Sequence, residues 1–84
     1  GDCVYYQVVA TNIGATPQSN VSISDAAPNY TTLQTSPAAG CTSTTLTSGT
    51  VAAGGTSPIV TCGGTNVLPP GGTVTLTYVV RINQ

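Results

Sequence analysis

Apolar residues recur at every second position through much of this chain. The clearest run is Thr73 to Ile82, where Val74, Leu76, Tyr78, Val80 and Ile82 alternate with Thr73, Thr75, Thr77, Val79 and Arg81. Successive side chains of a strand point to opposite faces, so a period of two predicts a half-buried β-strand. Cys3 to Thr11 repeats the pattern. Val4, Tyr6, Val8 and Ala10 share one face, and Cys3, Tyr5, Gln7, Val9 and Thr11 share the other. Shorter runs predict strands over Asn20–Asp25, with Val21 and Ile23 inward, over Tyr30–Gln34, and over Pro58–Cys62, where Pro58 sets the start. The stretch from Thr42 to Val51 has only Leu46 and Val51 as clear anchors and predicts one or two short edge strands.

Breaks between these runs carry turn residues. Gly14 and Pro17 interrupt the chain after the first strand, and Pro69-Pro70-Gly71-Gly72 is a turn immediately before the last. No stretch has helical periodicity with a cap. Short alternating strands punctuated by Gly and Pro predict an all-β chain, an antiparallel immunoglobulin-like β-sandwich of about six to seven short strands. With 84 residues the chain makes a single module, and without a starting Met it reads as a processed or excised segment or one unit of a repeat array.

Charge changes the picture most. Asp2, Asp25 and Arg81 are the only charged side chains, where a typical domain devotes about a quarter of its residues to charge. One Arg cannot neutralise a phosphate backbone or form a basic membrane patch, so nucleic-acid partners are excluded. No apolar run is long enough to span a bilayer, so membrane insertion is not expected. Little charge also means little repulsion between copies, which suits a subunit that assembles.

Catalysis fails on inventory. The chain has no His, Lys or Glu, so a Ser or Cys nucleophile lacks a conventional base. Asp2 and Asp25 are the only possible carboxylate pair, and they sit at the start of one strand and the end of another. No metal or cofactor site is expected. Three scattered cysteines without His do not make a zinc site, and Asp25 with Asn29 falls short of the oxygen ligands Ca²⁺ requires. The expected role for Asp25 is to satisfy backbone N–H groups at its strand exit.

The order of motifs G-D-C-V-Y-Y-Q-V-V-A-T-N, N-V-S-I-S-D-A-A-P, G-C, V-T-C and L-P-P-G-G-T-V-T-L-T-Y-V-V-R resembles the prokaryotic conserved-repeat domain, domain of unknown function eleven. That family opens on Gly-Asp followed by alternating Thr and apolar residues ending in Thr-Asn, and closes with a strand after a Leu-x-Pro-Gly turn. The resemblance implies an immunoglobulin-like module, found in tandem in surface and secreted proteins of bacteria and archaea, with no enzymatic activity. It also implies a cysteine pair at the places of Cys41 and Cys62, although sequence alone does not fix connectivity. A bridge there would close a loop worth about 3 kcal/mol in the chain-entropy model. Cys3 is then left over, as a free thiol or an intermolecular partner. Three Cys in so small a chain fit an oxidising, extracellular compartment.

Two departures from the family pattern bear on function. Outward positions that usually hold Thr are here Cys3, Tyr5 and Val9. With Val79 of the last strand, Tyr5 and Val9 form the expected assembly interface. In addition, family members continue into a further strand beyond the closing one, so either the segment was cut inside a repeat or a neighbouring copy completes the sheet, with Thr42–Val51 as the donor segment. The sequons at Asn20 and Asn29 are candidate N-glycan sites, and the Ser and Thr residues from Ser36 to Thr50 candidate O-glycan acceptors.

These observations favour a building block of an extracellular filament, sheath or surface fibre, with other copies of itself as partner. Two readings compete: an adhesin or carbohydrate-binding module using Tyr5 and Tyr30 to stack sugars, and a passive spacer repeat.

Overall fold

The computed structural model describes residues 2–36, 38–55 and 59–83. Ten strand segments follow one another: β1 (Cys3–Thr11), β2 (Gln18–Ser19), β3 (Ile23–Ala26), β4 (Thr31–Leu33), β5 (Gly40–Thr42), β6 (Ser48–Gly49), β7 (Ala52–Gly54), β8 (Ile59–Gly63), β9 (Asn66–Leu68) and β10 (Thr73–Ile82). Every pairing is antiparallel. The expected all-β sandwich class is therefore what forms. Its long dimension is 46 Å against 19 and 17 Å, a short rod.

One layer is built on β10. It pairs along its whole length with β1 on one side, and on the other with β4 near its end and β5 nearer its start. The second layer is a three-ribbon sheet with breaks. β8 and β9 form its centre, β6 and β7 pair one flank in a common register, and β2 and β3 pair the other with a shift of one residue between them. Counting each broken ribbon once gives β1, β2–β3, β4, β5, β6–β7, β8–β9 and β10. That is the upper end of the expected six to seven strands.

The breaks have local causes. Asn20 adopts a left-handed backbone with φ 55°. The Val21 N–H and C=O bond the side-chain amide of Asn66 at 3.0 Å each. The strand expected over Asn20–Asp25 consequently begins only at Ile23. Tyr30, at φ 66°, likewise delays the next strand to Thr31. The expected start at Pro58 lies outside the described residues. In the closing turn Gly72 N–H donates to Pro69 O at 2.8 Å, and Gly71 has φ 79°. Pro at the second position and Gly at the third are what a type II turn demands.

Between the layers lie Ala27, Val60, Cys62, Leu68, Val74, Leu76, Tyr78 and Val80. Four of these come from the inward face of β10, where alternation is cleanest. Val4, Tyr6 and Val8 of β1 pack against this core but stay partly exposed, as do the anchors Leu46 and Val51. Among the described residues every buried side-chain nitrogen and oxygen has a hydrogen-bond partner.

Candidate assembly surface

β1 is the outermost strand of its sheet. Its only strand partner among the described residues is β10. Alternation turns Cys3, Tyr5, Gln7, Val9 and Thr11 outward, and all five are exposed. Tyr5 is 64% exposed and Val9 54%, large values for apolar side chains on a nine-residue strand. Register places Tyr5 directly opposite Val79. Val9 instead faces Thr75, and Gln7 with Thr77 separates it from the Tyr5–Val79 pair. The three residues expected to form one patch thus make a pair plus a separate member, roughly 14 Å further along at about 3.4 Å per residue.

The other candidate residues fall elsewhere. Tyr30, 82% exposed, precedes β4, and its carbonyl accepts from the Asn83 N–H at 2.6 Å. Tyr5 and Tyr30 therefore flank β10 on opposite sides, and the sheet does not bring them together as one stacking platform. Asn20 and Asn29 are both exposed, at chain reversals. Cys3 is an exposed free thiol opposite Arg81.

Cys41 and Cys62 form a disulfide, with Cα atoms 5.6 Å apart and a sequence separation of 21. β5 and β8 belong to different layers, so the bond ties one sheet to the other through the core, where Cys62 is fully buried. A disulfide in so small a domain fits an oxidising compartment. Among the described residues no helix is long and apolar enough to cross a membrane.

Asp25 differs from its expected role. Rather than capping backbone N–H groups, its Oδ2 accepts a hydrogen bond from the Tyr78 hydroxyl at 2.6 Å. Tyr78 also stacks on its cross-strand partner Tyr6, with ring centroids 5.2 Å apart and planes inclined by 20°. Burial foremost, then the bond to Asp25 and its negative charge, push the Tyr78 phenol well above its ordinary value. Asp2 lies beside Ile82, whose N–H its carbonyl accepts at 2.8 Å, four residues further along β10. The two carboxylates are not brought together.

Two residues that sequence reasoning passed over organise the end of the fold opposite Asp2 and Ile82. Asn66 is buried, and its amide also donates to Gly64 O at 3.1 Å, closing the gap between β8 and β9. Asn12, the Asn of the Thr-Asn that ends β1, donates to Leu68 O at 3.1 Å and Thr16 O at 2.9 Å and accepts from Gly14 N–H at 2.9 Å. It pins the loop that carries Ile13, which is 95% exposed. Asn next to a Gly-containing turn was the available signal for Asn12; for Asn66 no local pattern marked it.

Compared with protein-family models, curated proteins and solved structures, the chain matches none of them. The resemblance to the conserved-repeat domain thus rests on motif order alone.

Proposed function

We propose that this chain is a structural building block of an extracellular filament, sheath or surface fibre, that it associates with copies of itself, and that it performs no catalysis. The observation that carries this reading is the exposed outer face of β1. It presents Tyr5 and Val9 to solvent, with Val79 beside Tyr5, on a strand that contains no charged residue. Isolated exposed apolar residues are ordinary. A large aromatic and a β-branched residue on one edge strand, in a chain with almost no charge to keep copies apart, instead favour contact between copies. The rod shape suits end-to-end or side-by-side stacking, and the disulfide supports an extracellular setting. Glycans at Asn20 and Asn29 would supply the solubility that charge does not, and Cys3 is available for a bond between copies.

The motif resemblance points the same way, to an immunoglobulin-like module of prokaryotic surface proteins. The separation of Tyr5 from Tyr30 gives the sugar-binding alternative no support. Negative-stain microscopy of the native material, with sedimentation of a Tyr5→Ser/Val9→Ser chain, tests the proposal. Regular fibres, and weaker association of the double variant, are the expected results. Dispersed monomers for the parent chain would leave a passive spacer as the better reading.

A further inference from the structure

The open edge of β1 can be described group by group. At one end of the ladder Ile82 N–H donates to Asp2 O, and at the other Asn12 N–H donates to Gly72 O. The register runs between them without a bulge, Cys3 opposite Arg81 through to Thr11 opposite Thr73. In an antiparallel pair, residues that exchange hydrogen bonds alternate with residues that do not. The even-numbered residues of β1 therefore bond to β10. The N–H and C=O of Cys3, Tyr5, Gln7, Val9 and Thr11 point the other way, into the open edge. β10 confirms this phase from its far side, where Val79 O, an odd position, accepts from Gln34 N–H. Among the described residues no backbone or side-chain group bonds the open edge of β1.

We propose that a second copy of this chain occupies that edge, β1 pairing antiparallel with β1 of its neighbour about a two-fold axis at Gln7. This deepens the self-association reading above and rests on it. The free groups are five donors and five acceptors at odd positions, and the register centred on Gln7 satisfies all five residues at once. Centring on Tyr6 or Val8 leaves one end unpaired. In the Gln7 register Tyr5 lies opposite Val9 of the second copy and Val9 opposite its Tyr5. The two parts of the outer patch, separate within one chain, join across the seam as Val79–Tyr5–Val9 rows. On the inner face Tyr6 meets Val8 and Val4 meets Ala10, so the core-facing row continues as well. No charge opposes a like charge, because Cys3–Thr11 carries none and Asp2 meets Asn12. This strand lacks what edges use against such pairing, having no Lys, no Pro and no bulge over nine residues. The expected sheet completion beside the last strand is redirected by this geometry: β10 already has neighbours on both sides, and the longest edge with a strand on one side only is that of β1.

Four variants of the chain test it, two by sedimentation against the parent and two by cross-linking. Gln7→Lys sets two like charges together at the two-fold axis and should weaken the dimer by about tenfold or more, while leaving the thermal midpoint measured on dilute, monomeric chains unchanged. Gln7→Pro removes an N–H aimed at the open edge and no N–H bonded to β10, and should also dissociate the dimer. In a Cys3→Ser background, Gln7→Cys should cross-link readily on mild oxidation, since hydrogen-bonded partners sit about 5.5 Å apart at Cα. Thr77→Cys, one strand further in, should not. Dimerisation of Gln7→Lys as tight as the parent's, equal cross-linking of the two cysteines, or a parent that stays monomeric at all concentrations overturns the proposal. Hydrogen-exchange protection of the amides at positions 5, 7 and 9 in monomeric Gln7→Lys also overturns it, because the edge is then covered by the chain's own residues. A two-fold contact closes in pairs, so a fibre needs a second contact. Fibres that survive Gln7→Lys sink the pairing but not the fibre; dimers without fibres do the reverse.

Discussion

β1 and β10 share one ladder and nearly the same sequence pattern, yet they are different kinds of strand. Inward residues of β10 (Val74, Leu76, Tyr78 and Val80) are at most 2% exposed, whereas Val4, Tyr6 and Val8 of β1 are only half-buried. Pattern alone does not separate them. β10 has strands on both sides and the second layer above it; β1 has a neighbour on one side only. Alternation thus declares which face a side chain takes, and position in the sheet decides how completely that face is covered. The same difference leaves β1 free to act outside its own fold.

The largest expected effect comes from the centre of this comparison. Leu76→Ala should cost about 2–5 kcal/mol in chemical denaturation, and its register partner Val8→Ala about 1 kcal/mol or less, because a half-exposed site leaves little cavity. Equal losses at both would break the contrast between the strands. An 84-residue domain has a total stability of only roughly 4–12 kcal/mol, so the Leu76 variant approaches the limit of folding.

Next is the bond between layers. Replacing Cys41 and Cys62 together by Ala should lower stability by about 3 kcal/mol, the chain-entropy value for a loop of this size. Calorimetry of the double variant measures it, and a loss well under 1 kcal/mol would mean that packing around Cys62 holds the layers without the bond.

A smaller loss, about 1–2 kcal/mol, is expected for Tyr78→Phe, which leaves Asp25 without the hydroxyl that donates to it. This variant also has a pH signature. The folded chain keeps the Tyr78 proton to a higher pH than the unfolded chain does. Stability from this group is therefore fully present below the ordinary phenol value of 10.0 and declines as pH rises beyond it. Denaturation between pH 9 and 11 should show a steeper alkaline decline for the parent than for Tyr78→Phe; parallel curves would contradict the assignment.

Least affected in stability should be Tyr5→Ser with Val9→Ser, within about 0.5 kcal/mol of the parent, because both side chains are already exposed. Their effect belongs in association, measured by sedimentation. Unfolding of the double variant would place them in the core of the fold after all.

How much of this was legible in advance follows from the range over which each feature is set. The alternation of β1 and β10, the turn at Pro69–Gly72 and the all-β class are local, and the chain itself determined them: strand periodicity and turn residues need only their neighbours. Strand boundaries near Asn20 and Tyr30 escaped because apolar alternation continued through residues whose backbone turns left-handed. Only the tertiary structure decided that Asp25 meets Tyr78 across 53 residues, that Asn66 holds Val21 across 45, and that Val9 is parted from the Tyr5–Val79 pair. It also decided that the long edge of β1 is open and that the last strand is paired on both sides. A polar side chain takes whichever partner the fold brings to it, and an edge is defined by the strand that is absent beside it; neither is written in the residues next door.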